Sequence, residues 1–285
     1  MKLLLILLGL CLAAAAEELP IWEDYHEEFG IPEAARIRAA EESVDFDGAR
    51  IVGGTQSNLG QHPHLAGLLI QLVGNRESIC GASLISVTRI LTAAHCWRHG
   101  NNQGTQLTVI LGSVRLNFGG TRLTTRNVQM HAQYNMQNLN NDIAIAAINR
   151  VTLSNTINTI NIATGTNLFV GVWATASGFG RTSNNQPVGP LQVLSHVSMQ
   201  VITNQVCASS YGTSMIVPSV VCTASAGGRT SVCHGDSGGP LDVGSGANRQ
   251  LIGVTSFVHR NGCQSGHPSG FMRVSSFVNW IRQRL

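Results

Sequence analysis

Gly235-Asp236-Ser237-Gly238-Gly239-Pro240 is the stretch on which the reading of this chain turns. Glycines on either side of a serine let the backbone bend sharply and let N–H groups approach a bound atom. A serine hydroxyl is a weak nucleophile at neutral pH. It needs an imidazole to take its proton and a carboxylate to hold that imidazole in place. Two further stretches supply those groups, Leu91-Thr92-Ala93-Ala94-His95-Cys96 and Asn141-Asp142-Ile143-Ala144-Ile145. Each alone has a bland reading: a structural histidine beside a cysteine, a turn aspartate, a glycine-rich loop. Together, in the order His, Asp, Ser, they match one of several orders that build a nucleophilic triad.

Outward from these stretches, the chain from Ile51 onward alternates short apolar runs with Gly, Asn and Ser turns. Leu65–Leu72, Thr108–Leu111, Leu191–Ile202 and Leu251–Phe257 read as strands. A helical period appears only at the end, with Phe277, Trp280 and Ile281 at i, i+3, i+4 and Ser275 or Ser276 as N-cap. Arg282 and Arg284 suit the negative end of that helix dipole. Many short strands and one terminal helix predict an all-β barrel or sandwich.

Composition narrows the class. Of 285 residues, 43% are hydrophobic and 12% charged, which argues against a disordered, collagen-like or coiled-coil chain. The longest apolar run, Leu3 to Ala16, is too short to span a bilayer. Preceded by Lys2 and ending in small residues, it reads as a secretory signal over residues 1–16, against the blander alternative of a buried helix. Loss of Cys11 with that signal leaves Cys80, Cys96, Cys207, Cys222, Cys233 and Cys263. Six cysteines in a secreted chain imply disulfides, and spacing alone leaves fifteen pairings open.

Charge divides the chain. Residues 17–50 hold 11 of the 15 acids, whereas residues after 50 hold 14 Arg, no Lys and only Glu77, Asp142, Asp236 and Asp242. The first segment therefore carries −8 and the second +10, placing a boundary at Arg50/Ile51. Scattered arginines on a secreted chain read as a solubilising surface rather than a nucleic-acid site. Arginine also keeps its charge at pH values where lysine loses it, so an alkaline working pH is expected.

With Ile51-Val52-Gly53-Gly54, the three stretches above and Thr255-Ser256-Phe257, the chain from Ile51 to Leu285 resembles the chymotrypsin-like (trypsin-fold) serine peptidases, in particular insect digestive chymotrypsins. The resemblance implies two six-stranded antiparallel β-barrels, about residues 51–165 and 166–285, and a C-terminal helix. It implies His95 as general base and acid, Asp142 as its orienter, and Ser237 as nucleophile. The N–H groups of Gly235 and Ser237 would form the oxyanion hole. It also implies disulfides Cys80–Cys96, Cys207–Cys222 and Cys233–Cys263. Residues 17–50 would be an acidic propeptide, cut at Arg50-Ile51 by a trypsin-like protease, with the new Ile51 amino group pairing to Asp236. A partner-binding module is the alternative for that segment.

The family's pocket positions fall on Ser231 at the base and on Ser256, Phe257, Val258 and Ser269 at the walls. A neutral base disfavours Arg or Lys in the substrate, since a buried cation would lack a partner. Cleavage after large apolar residues is expected, with an elastase-like or collagenolytic preference as the alternative because Val258 narrows the slot. His234 would line the cleft. No cofactor or metal is expected: residues 112–126 lack the acids a calcium loop needs. The expected partners are protein or peptide substrates, an activating protease and protein inhibitors, with no nucleic acid and no membrane. A secreted monomer with a digestive role in a gut lumen is the expectation; a non-catalytic binding homologue is the competing class.

Overall fold

The computed structural model describes residues 20–42, 55–181, 183–184 and 193–285. The segment 20–42 begins irregularly, passes through a π-helical turn His26–Gly30 and continues as helix α1, Ile31–Glu42. The buried positions of α1 are Glu33, Ala34, Arg36, Ile37, Ala40 and Glu41, a stripe at i, i+1, i+3, i+4, i+7, i+8. That is a helical face. Half of it is charged, so hydrophobicity alone does not reveal it.

Short strand β1 (Thr55–Gln56) leads into β2 (Leu65–Leu72), β3 (Glu77–Ser86), β4 (Arg89–Thr92), β5 (Arg98–His99), β6 (Asn102–Leu111), β7 (Thr121–Thr125), β8 (Val128–Met130) and β9 (Ala144–Ala147). Strands β2 to β9 form one antiparallel sheet, in the order β5-β6-β2-β3-β4-β9-β8 with β7 on β6. After β10 (Asn161–Ile162), the second half comprises β11 (Trp173–Gly178), β12 (Ser195–Ile202), helix α2 (Asn204–Tyr211), β13 (Val220–Thr223), β14 (Pro240–Val243), β15 (Gln250–Phe257) and β16 (Ser269–Arg273). Here the ring β12-β11-β14-β15-β16-β13 closes through β12–β13 pairing, with β1 and β10 added at its edges. The fold is mostly β and trypsin-like. The second half is a closed six-stranded barrel, while the first is a curved half-barrel.

The apolar run Leu65–Leu72 is continuous because both faces of β2 are covered. Leu68, Ile70 and Leu72 enter the main core, whereas Leu65 and Leu69 pack with Ile79, Phe179 and, from α1, Ala34 and Ile37. Each such side chain contributes about 1.5–3 kcal/mol when fully buried. The C-terminal α-helix, α3 (Val278–Arg282), follows a 3₁₀ turn Val274–Phe277, so Ser275 and Ser276 lie inside that turn and neither caps the helix. Phe277 and Ile281 are buried in the main core as their spacing predicts. Cysteines pair as Cys80–Cys96, Cys207–Cys222 and Cys233–Cys263. No helix among the described residues is long and apolar enough to cross a membrane.

Candidate active site

Antiparallel pairing of β4 with β9 sets Thr92 opposite Ala144. His95 lies just beyond that pair and Asp142 just before it, so two residues far apart in sequence meet at one end of adjacent strands. A helical turn, closed by Trp97 N–H donating to Ala94 O at 2.9 Å, carries the histidine. Asp142 Oδ1 accepts from the His95 backbone N–H at 2.8 Å, and Oδ2 lies 2.7 Å from His95 Nδ1. The Ser256 hydroxyl donates to the same Oδ2 at 2.6 Å. A carboxylate buried without donors would be costly; this one has three. With its Nδ1–H facing a carboxylate, the imidazole presents Nε2 as an acceptor.

Ser237 comes from the loop ahead of β14. Its carbonyl accepts from Gly81 N–H at 2.6 Å, and Gly238 N–H donates to Thr255 O at 2.8 Å, tying the loop to both halves of the fold. Gly235 has φ +100°, a conformation that side-chain-bearing residues rarely adopt, and a Cβ there would come within 3.0 Å of Gly180 Cα. Among the described residues, no hydrogen bond links His95 Nε2 to Ser237 Oγ. Tyr25 lines the same cleft as Ser237, and its hydroxyl donates to Ile79 O at 2.7 Å. Nε2 is 3.8 Å from Cys96 Sγ.

Asp236 is fully buried. Gly180 N–H donates to its Oδ1 at 2.7 Å and Cys233 N–H to its Oδ2 at 2.8 Å. Burial outweighs those bonds and raises its pKa to about 7. Gly180 is required beside it, since a Cβ would stand 2.5 Å from the carboxyl carbon. Arg50 and Ile51, read from sequence as the activation site, lie outside the described residues.

Ser231 and Ser269, expected at the base and wall of the pocket, meet with their hydroxyls 3.0 Å apart and both buried. The pair is neutral. The Phe257 ring lies over Gly270, where a Cβ would approach to 2.2 Å. Val258 is nearly covered and lines the same cleft with Phe257 and His234. Ser256, expected in the pocket wall, spends its hydroxyl on Asp142. The two places where histidine and cysteines cluster, Cys80-His95-Cys96 and Cys233-His234-Cys263, have their sulfurs in disulfides and offer no thiolate to a metal.

The residues that sequence reasoning missed come from the N-terminal segment. Trp22 and Tyr25 line the cleft beside Ser237, together with His234, Phe257 and Val258. Phe29 stacks on His234 with ring centroids 3.6 Å apart. An available signal was the aromatic spacing Trp22, Tyr25, His26, Phe29 at i, i+3, i+4, i+7 in an otherwise acidic stretch.

Comparison with known proteins agrees with this geometry. The family model described as Trypsin matches residues 51–281. The chain belongs to the trypsin family: it is a chymotrypsin-like, trypsin-fold serine endopeptidase. It is 38% identical over 237 residues to a collagenase of Hypoderma lineatum, covering 82% of this chain and 86% of that one. To brachyurin of Leptuca pugilator it is 34% identical over 236 residues, covering 81% and 97%. The solved structure of HL collagenase superposes with a TM-score of 0.74 at 38% identity, over 82% of this chain and 98% of that one.

Proposed function

We propose that the protein is a secreted digestive endopeptidase made as a zymogen, with residues 1–16 as export signal, 17–50 as propeptide and 51–285 as peptidase. The observation that carries the catalytic reading is the buried His95–Asp142 contact, reinforced by Ser256, at the mouth of the cleft that holds Ser237. The roles follow those of the family. His95 Nε2 takes the Ser237 proton as Oγ bonds to the scissile carbonyl carbon, and then gives that proton to the leaving amine as the C–N bond breaks. Water, deprotonated by the same nitrogen, releases the acid product and restores Ser237. Asp142 holds the ring and its charge throughout. Gly235 and Ser237 N–H groups, neither bonded to an acceptor among the described residues, are free to bind the oxyanion.

Activation follows from Asp236. Its carboxylate has two amides as partners and sits where its charge is poorly solvated. An Ile51 ammonium, freed by cutting after Arg50, supplies the missing cation and secures the loop that carries Gly235 and Ser237.

The Ser231–Ser269 base supports cleavage after large apolar residues and disfavours Arg and Lys. A collagenolytic or elastase-like preference is the second reading. Val258 narrowing the slot favours it, as do the relatives named collagenase. Activation with trypsin followed by cleavage profiling on a mixed peptide library tests both: dominant cuts after Arg or Lys would overturn the pocket assignment.

A further inference from the structure

The segment 20–42 does more than precede the peptidase. It enters where Arg260 N–H donates to Pro20 O at 2.9 Å and packs Trp22 and Tyr25 against His95 and into the cleft that Ser237 lines. Trp22 lies edge-on to His95 and His99, at 5.0 and 4.8 Å between ring centroids. The Tyr25 ring is 4.6 Å from that of His95, its backbone N–H donates to His99 Nδ1 at 3.2 Å, and its hydroxyl donates to Ile79 O at 2.7 Å. Beyond them, His26 Nδ1 meets Ser78 Oγ at 2.8 Å.

Charge completes the fit. Buried Glu33 receives Arg181 of the second barrel and its own neighbour Arg36. Glu27 pairs with Arg76 and Arg38 with Glu77. At the far end, the Glu41 carboxylate accepts from the N–H groups of Leu116 and Asn117, both at 2.6 Å. An acidic segment is thus held along a basic, arginine-only body.

The same segment is shaped to resist hydrolysis. Nucleophilic attack needs a carbonyl carbon aligned near the serine oxygen. Here the chain turns into helix at Asp24, whose carboxylate accepts from His26 N–H at 3.0 Å while Glu28 Oε1 accepts from the N–H groups of Glu23 and Asp24. This reciprocal capping starts the helical run within the cleft, and from there the carbonyls are committed to helical bonds. The Tyr25 phenol, its hydroxyl on Ile79 O, lines the cleft beside Ser237.

We propose that residues 20–42 are a cleft-blocking inhibitor of this chain's own peptidase, and that they stay docked after the bond at Arg50 is cut. The segment contains no cysteine, so its hold is noncovalent and reversible. The inference rests on the activation reading above, in which that cut frees Ile51. Cleavage then assembles the catalytic loop, and departure of the segment opens the cleft as a separate step.

The test uses the full chain, cut with trypsin, and a variant carrying Trp22→Ala and Tyr25→Ala treated alike. N-terminal sequencing establishes where each was cut, and activity per molecule is followed on dilution. The expected result is a wild-type activity about tenfold or more below the variant's at high concentration, converging as dilution frees the fragment. Fragment 17–50 recovered from the cut wild type should inhibit the separated enzyme by raising KM at constant kcat. Full activity at every concentration, with no inhibition by the fragment, would overturn the proposal while leaving activation at Ile51 intact. An active enzyme starting elsewhere would overturn the activation reading instead, and the fragment assay would still decide whether the segment blocks the cleft.

Discussion

The phenol ring of Tyr25 stands 4.6 Å from the imidazole of His95 and lines the same cleft as Ser237, so one side chain from the N-terminal segment packs beside both. In the same site Asp142 already holds His95 through two contacts. Asp142 and His95 are therefore joined, while no hydrogen bond joins His95 to Ser237 among the described residues.

Ser237→Ala should fold, be secreted and lose peptide hydrolysis by a factor on the order of 10⁶ in turnover. Steady-state assay of the trypsin-treated variant checks this. Retention of more than a few per cent of activity would remove Ser237 from the nucleophile's role.

Arg50→Gln should give a folded chain that trypsin does not switch on. The expectation follows from the need of buried Asp236 for an ammonium partner. N-terminal sequencing of active wild-type enzyme should read Ile-Val-Gly-Gly; another start would end the scheme.

Ser231→Asp should introduce cleavage after Arg and Lys, because a carboxylate at the base would pair with a cation that two hydroxyls leave unpartnered. Val258→Gly should raise the rate on Phe and Tyr substrates relative to Ala. Chromogenic peptides read both changes, and an unchanged Phe-to-Ala ratio would show that Val258 does not limit the pocket.

Acid should release the docked segment. Burial lowers the pKa of His26 to about 3, with His95 and His99 facing it from the peptidase and Glu27 from its own segment. Burial likewise lowers His234, under Phe29 and near Arg181, to about 3. A depressed histidine pKa stabilises the docked state fully above the ordinary value of 6.5 and progressively less as pH falls towards 3. At pH 5 that amounts to about 2 kcal/mol for His26, which the released segment carries into water. Size-exclusion chromatography of the cut Ser237→Ala chain should find the fragment bound at pH 7.5 and separated at pH 5. Co-elution at both values would contradict release by acid.

Mature enzyme should work well above neutrality, since its 14 arginines keep their charge there. The Ile51 ammonium sets the limit: a free α-amino group titrates near pH ~8, and pairing with Asp236 must raise that value. Activity should then persist above pH 8 and fall as pH passes the raised value. A pH–rate profile with reversible loss before pH 9 would count against this reading of the arginine bias.

Much of the molecule was legible in one dimension. The motifs around His95, Asp142 and Ser237 are local, because a nucleophile's loop and a strand's end are encoded by neighbouring residues. Strand β2 coincides with the expected Leu65–Leu72 run, since an apolar stretch of that length between turn residues has few other uses. The charge break at residue 50 likewise needs no coordinates. Tertiary structure decided the rest. Only the β4–β9 register brings His95 to Asp142, and only the meeting of β15 with that site turns the Ser256 hydroxyl onto the carboxylate. Helix α1 escaped the sequence for a physical reason. Its buried face carries Glu33, Arg36 and Glu41, charges that are costly to bury until Arg181 and the amides of Leu116 and Asn117 arrive from distant parts of the chain. A pattern that makes sense only when its partners are present belongs to the fold, not to the string of residues.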